Sequence, residues 1–473
     1  MGIFLKNIKT YSFTYWMCTA LGAILLLVQF VSIGSNFPIP WEDEAAFILQ
    51  ALSWSEKNTL FTESLSNDRI IMWMQPGYMI LVGSLFKILG FSFDIARQIS
   101  WFFFILAFII FSIAARKINN NISLLILFLI FIIPSSTAIG NVARMEAVEI
   151  FIFAVTLYLL VNKYLWIALS VVMIGTLVHF NISYLALPVI STICLAIYRD
   201  KNIKSITPRL IDQLAILTAL ILMTIYILFI LNNTDSFIKD MQYQFNRKID
   251  REILLFGSPK NLFLLFSGIS LYALTIILKK DSLSVFSILG LTSFLIYIFG
   301  QEMWYVIFLN LSIGLQFIVL IKLLDAKKLL KALIMTLMIF FYITQLNKDF
   351  ADMRLTHSKK SYIDHHTISM IENQLLKYAE IFRSNNQELK VSFIPSGVSL
   401  SFYNFLIKNN IKIIHALPNE IQKSRHADLC INITRPTDPA WLSAFQESPT
   451  PNRCELGVII SEFDDDIRIK IFK

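Results

Sequence analysis

Residues 13–33, FTYWMCTALGAILLLVQFVSI, form a run of apolar and small side chains with no charged residue. About 20 such residues, coiled as a helix, cross the ~30 Å hydrocarbon core of a bilayer. Lys6 and Lys9 precede the run, and no small-residue cleavage site follows it. Because the run is also too long for the core of a secretory signal, we expect an uncleaved first membrane helix with a cytoplasmic N-terminus.

Runs of the same kind recur along the first 346 residues, and the composition agrees with them. Hydrophobic residues make up 56% of the 473 residues and charged residues 16%, with 40 phenylalanines, and the mean hydropathy is +0.63. A large soluble helical bundle would need polar faces on most helices, and these are missing. The formal net charge of +8 does not indicate nucleic-acid binding, because Lys and Arg collect in short loops between apolar runs.

Loop charge orients the later half of the chain. Basic residues at 199–209, 279–280 and 322–331 predict cytoplasmic loops, whereas residues 300–302 contain no Lys or Arg and should face outward. This alternation places the chain after residue 347 outside the membrane. The predicted location is the cell (inner) membrane.

The first half contains one candidate span too many. Seven crossings from a cytoplasmic N-terminus would place the basic loop after residue 198 outside. The weakest candidate is 76–90, which is short, carries Lys87 and follows a Gln75-Pro76-Gly77 break. We therefore expect an interfacial or re-entrant helix there, inside a long outer loop at 34–96; the alternative is that residues 70–90 span despite the proline. The fold class is then an all-α polytopic membrane protein with eleven spans, at 13–33, 97–116, 121–138, 146–162, 164–179, 182–198, 213–231, 260–278, 284–299, 303–322 and 329–346.

The composition changes at Lys348, where charged residues become more frequent and apolar runs become shorter. We predict a transmembrane domain at 1–347 and a small extracytoplasmic α/β domain at 348–473. Cys430 and Cys454 could form a disulfide there if the tail is outside. The tail shows no Gly-rich phosphate loop and no metal-spaced Cys/His set. Its predicted helices are 362–384 and 398–408, and its predicted strands are 390–395, 411–417, 429–434, 456–463 and 467–472.

Two acidic segments are the main candidates for chemistry. Three consecutive carboxylates, Glu42-Asp43-Glu44, follow the first span and open an amphipathic helix. A helix cap explains such a cluster, but at the water–lipid border a carboxylate can also act as general base on a hydroxyl. Arg144 and Glu146 open a later helix. Asp43 and Glu146 could hold an acceptor or share a divalent cation, Mg or Mn, although no cofactor is certain.

If a lipid phosphate is the leaving group of the reaction, cations are needed to stabilise its charge. Outer-face candidates are Arg69, Arg97, Arg144, Arg247, Lys248 and Arg251. His179 interrupts an apolar stretch and is either a simple turn or part of a site. Trp304 and Tyr305 belong to an interfacial aromatic belt or form a wall for a sugar ring.

The order of these segments resembles the GT-C class of integral-membrane glycosyltransferases, with the closest likeness to the protein O-mannosyltransferase and lipid A aminoarabinose transferase superfamily. Asp43-Glu44 resembles its acidic motif, and Gln75-Pro76-Gly77-Tyr78 is similar to its Pro-rich motif, with Gln75 where Lys is usual. GFSFDIARQIS (90–100) is similar to a Gly-x-Ser…Arg segment that ends in Arg97.

Three further segments resemble the family with substitutions. NVARMEAVEIF (141–151) has Glu146 in place of Asp, GTLVHFNISYLALP (175–188) has His179 where Lys is usual, and MWYVIFLN (303–310) has Trp304 in place of Arg. The likeness covers residues 10–200 well and 280–345 loosely, and it leaves the tail unexplained.

The resemblance implies a polyprenyl-phosphate sugar donor, an acceptor hydroxyl on a glycan, lipid or protein at the outer face, and inversion at the anomeric carbon. It implies Asp43 as the catalytic base with Glu44 beside it. Two alternatives stay open: a lipid-linked-sugar flippase, although no internal repeat is seen, and a polysaccharide polymerase or ligase that uses a lipid-diphosphate donor. The expected substrate contacts are Arg69, Gln75, Arg97, Arg144, Glu146, His179, Arg247, Arg251, Trp304 and Tyr305.

Overall fold

The computed structural model describes most of the membrane part and the centre of the tail. The described residues are 13–33, 42–66, 69–118, 120–200, 207–249, 259–300, 305–324, 365–394, 396–414, 427–434, 459–463 and 468–472. Up to residue 324, every regular element among them is helical. The α-helices are α1 (Phe13–Ile33), α2 (Glu42–Lys57), α3 (Gly77–Leu89), α4 (Phe93–Ala115), α5 (Asn120–Ile132), α6 (Pro134–Gly140), α7 (Glu146–Val161), α8 (Leu165–Thr176), α9 (Ala186–Asp200), α10 (Leu210–Asn232), α11 (Thr234–Ile249), α12 (Pro259–Ile277), α13 (Asp281–Gly300) and α14 (Val306–Leu323).

Six helical segments among the described residues are long and apolar enough to cross a membrane. The other predicted spans that the structure describes have shorter apolar helical parts, and residues 329–346 lie outside the described part. The count of eleven spans and the orientation of the termini therefore stay predictions. The six segments are Tyr15–Ser32, Phe93–Ala115, Phe180–Arg199, Leu210–Asn232, Asp281–Gly300 and Val306–Leu323.

The segment at 76–90 forms a helix, α3, of 13 residues. At 1.5 Å per residue it rises about 20 Å, less than the ~30 Å hydrocarbon core. This length favours the interfacial interpretation over a span. α3 instead packs against α2, so closely that a Cβ at Gly83 would lie 2.3 Å from the carbonyl oxygen of Ala51.

The segment 121–138, predicted as one span, is not a single helix, because it divides at a proline. α5 ends at Ile132 and α6 begins at Pro134. Proline has no N–H to continue the hydrogen-bond ladder and its ring clashes with the preceding turn, so a new helix begins there. The short helix α6 then leads into the loop that carries Arg144.

Phenylalanines fill the core of the helix bundle, where α4 packs along α7 and α5. Phe104, Phe108, Phe111, Phe131 and Phe153 are each fully buried. Phe108 and Phe131 pack edge to face with ring centroids 5.6 Å apart, and Phe111 and Phe131 do the same at 5.8 Å. Such geometry adds to the stabilisation from apolar burial.

The described tail contains helices α15 (His365–Ser384) and α16 (Tyr403–Lys408) and the strands β1 (Lys390–Ile394), β2 (Lys412–Ile413), β3 (Leu429–Thr434), β4 (Ile459–Phe463) and β5 (Arg468–Phe472). The strands form one sheet in the order β2-β1-β3-β5-β4. β1 pairs in parallel with β2 and β3, whereas β5 is antiparallel to β3 and β4. Both predicted helices and all five predicted strands have counterparts, but the helix expected at 398–408 begins as a 3-10 turn, Ser396–Phe402.

The tail contacts the segment 34–96 of the membrane part. The ring of Tyr403 packs edge-on against Phe91 at 5.3 Å, and Lys412 Nζ lies 3.3 Å from a carboxylate oxygen of Glu63. Two predictions fall outside the described residues, namely the domain boundary at 347 and Cys454. The domain division and the disulfide therefore stay predictions.

Candidate active site

A buried ion pair joins α2, in the segment 34–96, to α4 of the helix bundle. Arg97 of α4 donates from Nε to Glu44 Oε1 at 3.0 Å and from Nη2 to Glu44 Oε2 at 2.7 Å. The backbone N–H of Ala143 donates a third hydrogen bond to Glu44 Oε1 at 2.7 Å. Both charged side chains are completely buried. Two parallel hydrogen bonds plus a backbone donor are what a buried ion pair needs to offset its desolvation.

This pair determines where Asp43 lies. Glu44 occupies the first turn of α2, and Asp43 precedes it in the same turn. The side chain of Asp43 is outside the described part, but its backbone is held by the adjacent residue, Glu44, which binds Arg97. The Arg97 guanidinium in turn lies 4.6 Å from the ring centroid of Phe93, a cation–π contact that keeps it oriented.

A second buried ion pair lies one residue beyond Ala143. Arg144 donates from Nε to Glu146 Oε2 at 3.1 Å and from Nη2 to Glu146 Oε1 at 2.8 Å. Its guanidinium carbon is 5.7 Å from the ring centroid of Phe47, which belongs to α2. The two acidic segments that the sequence singled out are therefore neighbours, connected through one loop and one helix.

A third buried group consists of Glu149, His179 and Tyr305. Glu149 Oε2 lies 3.4 Å from His179 Nδ1, and the Tyr305 hydroxyl lies 3.4 Å from His179 Nε2. His179 Nδ1 also accepts from the backbone N–H of Asn181 at 3.2 Å. The Glu149 carboxylate oxygens are buried and make no hydrogen bond to any described residue. A buried carboxylate of this kind is costly unless a cation compensates it, and His179 is its nearest ionisable neighbour.

The Pro-rich motif packs against the turn that carries His179. The backbone N–H of Gly77 donates to the Leu177 carbonyl at 2.7 Å. A Cβ at position 77 would lie 2.4 Å from that carbonyl oxygen, so only glycine allows this approach. Gln75 is buried and lies beside the Tyr226 hydroxyl of α10.

Arg69 binds an acid that carried no recognisable signal in the sequence. It forms a bidentate pair with Asp240 of α11, with both contacts at 2.8 Å, and the Met72 backbone N–H donates to the same carboxylate at 2.6 Å. The rings of Trp73 and Tyr243 stack 6.0 Å apart. Asp240 and Tyr243 lie three residues apart on α11, so one helix face makes both contacts.

The structure thus groups several of the predicted site residues and leaves others untested. Glu44, Arg97, Arg144 and Glu146 lie in one cluster, and His179 and Tyr305 in a second. Among the side chains that the structure describes, no group of three or more His, Cys, Asp or Glu is arranged to hold a metal. The side chains of Asp43 and Arg247, and all of Arg251 and Trp304, lie outside the described part.

The fold is similar to that of a solved membrane protein, ArnT, and the resemblance expected from the motifs is confirmed at the level of fold. The chain is similar to the crystal structure of ArnT from Cupriavidus metallidurans bound to undecaprenyl phosphate, with a TM-score of 0.51 and 10% sequence identity. The match covers 97% of this chain and 98% of that chain. ArnT is a lipid A aminoarabinose transferase. No protein-family model and no curated protein matches the sequence.

Proposed function

We propose that the protein is an inverting glycosyltransferase that moves a sugar from a polyprenyl-phosphate donor to an acceptor hydroxyl at the outer face of the membrane. The observation that carries the proposal is the buried Glu44–Arg97 pair with the Ala143 N–H, which fixes the helix turn bearing Asp43 beside the Arg144–Glu146 pair. The fold shared with ArnT, whose crystal structure contains undecaprenyl phosphate, supports a polyprenyl lipid as donor.

In the proposed reaction, Asp43 accepts the proton of the acceptor hydroxyl. The acceptor oxygen forms a bond to the anomeric carbon as the bond from that carbon to the phosphate oxygen breaks, and the electron pair leaves with the lipid phosphate. Attack from the face opposite the leaving group inverts the anomeric centre. Glu44 is a positioning residue in this mechanism, because three hydrogen bonds already occupy its carboxylate.

The leaving phosphate requires a cation that is not already neutralised. Arg69, Arg97 and Arg144 each form a bidentate pair with a carboxylate, so they are poorly suited to bind it directly. His179 is the best described candidate, since it is the basic side chain of the second buried cluster. Arg247 and Arg251 are additional candidates from the sequence.

The test is sugar transfer by the purified full-length protein in lipid nanodiscs. A panel of polyprenyl-monophosphate hexoses and pentoses serves as donor, a delipidated cell-envelope fraction as acceptor, and Asp43→Asn stands beside the wild type. We expect transfer by the wild type and its loss in Asp43→Asn, with unchanged thermal unfolding. Glu42→Gln is the matched control, because it removes an adjacent acid from the same turn.

Two results would contradict the proposal. Transfer only from diphosphate-linked donors would support a polymerase or ligase. Donor translocation across the bilayer without transfer would support a flippase.

A further inference from the structure

A cavity lies at the end of the helix bundle opposite the candidate active site. It has a volume of about 110 Å³ and is bounded by the end of α7, the start of α8, and parts of α9, α12 and α13. α13 begins at Asp281, which lines the cavity, and ends at Gly300, which packs against Tyr305. Its 20 residues rise about 30 Å, one hydrocarbon thickness. The cavity therefore lies near the other membrane face.

Half of the residues that line the cavity are apolar. Such a lining, inside a bilayer, suits an acyl chain rather than a polar metabolite. The apolar residues that form it include Leu160, Val161, Leu165, Leu195, Val285 and Ile288.

The mouth of the cavity is basic. Lys163, Arg199 and Asp281 line it, and in the sequence Lys279 and Lys280 precede Asp281 while Asp200 follows Arg199. Arg199 is held in place by an ion pair with Asp281 and by a 2.9 Å hydrogen bond from Nη2 to the Ile276 carbonyl. The exposed ammonium of Lys163 makes no hydrogen bond or ion pair with any residue that the structure describes. Four bases against two acids leave a net positive charge, which favours an anion here.

Backbone donors point to the same ligand. α8 begins at Leu165, which lines the cavity, and the side chain of its N-cap residue, Tyr164, makes no hydrogen bond to the first turn. The first N–H groups of a helix without such a cap, together with the helix dipole, favour an anionic group.

We propose that this cavity binds one anionic phospholipid, with an acyl chain along the apolar residues and the headgroup phosphate at Lys163 and the start of α8. Basic pockets between membrane helices recognise anionic headgroups in this way. The lipid joins α7, α8, α9 and α13 at this face and stabilises the bundle whose other end carries the candidate active site. The proposal does not depend on the glycosyltransferase activity.

The test measures lipid retention by native mass spectrometry and thermal unfolding of the purified full-length protein. Phosphatidylglycerol is compared with phosphatidylcholine of the same acyl chains, and soluble glycerol 3-phosphate tests whether the phosphate alone suffices. We expect selective retention of phosphatidylglycerol and a higher unfolding midpoint with it. In Lys163→Gln, retention should fall about fivefold, as expected for one basic side chain.

Lys117→Gln is the matched control. Lys117 is exposed, follows α4 as Lys163 follows α7, and does not line the cavity. Ala196→Trp, which fills the cavity, should also abolish the preference for phosphatidylglycerol. Equal retention of the two lipids, or an equal effect of Lys163→Gln and Lys117→Gln, would overturn the proposal. Stabilisation by glycerol 3-phosphate to the same extent would replace the lipid site with a simple anion site.

Discussion

Arg97 and Glu44, 53 residues apart in the sequence, form a bidentate ion pair with both side chains fully buried. The pair connects the first turn of α2 to α4, and through the Ala143 N–H it also holds the loop that leads to Arg144. A buried pair held by three hydrogen bonds resists rearrangement, so it positions the neighbouring Asp43 backbone. Two separate acidic segments thereby become one buried cluster.

Breaking this pair should destabilise the protein strongly. Arg97→Ala leaves the Glu44 carboxylate buried without its cation, which costs about 3 kcal/mol or more. We expect a large fall in the midpoint of thermal unfolding in detergent. Arg209→Ala is the control, because Arg209 also pairs with an acid, Asp212, but is 59% exposed, and such pairs contribute about 1 kcal/mol or less. Equal losses in the two variants would refute the structural role of the buried pair.

Neutralising both partners should cost less than breaking the pair. In Glu44→Gln/Arg97→Gln no unpaired charge remains buried, so the double variant should unfold at a higher temperature than Arg97→Ala. If its activity is still low, the pair also positions the active site. A double variant that is no more stable than Arg97→Ala would argue against charge burial as the cause.

Substitution of Asp43 should affect the rate and not the stability. Loss of a general base lowers the rate about 100-fold or more, and Asp43→Asn keeps the shape of the side chain. We expect transfer to fall by at least that factor in initial-rate assays, while the unfolding midpoint stays at the wild-type value. Activity close to that of the wild type would redirect attention to Glu42 or Glu146 as the base.

Substitution of His179 should report on whether a positive charge is needed at this position. If such a charge stabilises the leaving phosphate, His179→Lys should retain transfer, whereas His179→Gln should be slow. The ring contacts Glu149 and Tyr305, each at 3.4 Å, so the unfolding midpoint is measured beside the rate. Equal rates in His179→Lys and His179→Gln would argue against a charge at this position.

The Arg69–Asp240 pair should hold α11 against residues 69–72. Asp240→Asn removes the bidentate contact and weakens the bond from the Met72 N–H. We expect backbone amides of residues 234–249 to exchange hydrogen about tenfold faster, the change that corresponds to ~1.4 kcal/mol. Asp235 lies on the same helix at an exposed position. The control variant Asp235→Asn should therefore leave hydrogen exchange unchanged. Equal protection in both variants would mean that the stacked Trp73 and Tyr243 rings suffice.

Much of the secondary structure could be predicted because it depends on local patterns. The run 13–33 became α1 with the same bounds, and the strand at 429–434 was also recovered without change. Pro134 was the exception, since an apolar run conceals a helix break when only hydropathy is considered. Charge in the loops predicted an orientation that stays a prediction.

The sequence by itself determined that this chain is an integral membrane protein, because repeated apolar runs of spanning length are stable in the hydrocarbon core of a bilayer and not in water. It also singled out the residues of the candidate site, since charged residues beside apolar runs are rare enough to stand out. Only the tertiary structure decided which charges pair with which. Glu44 meets Arg97, Arg69 meets Asp240 and Glu149 meets His179, and such partners are chosen by helix packing between segments far apart in the chain, which no local pattern encodes.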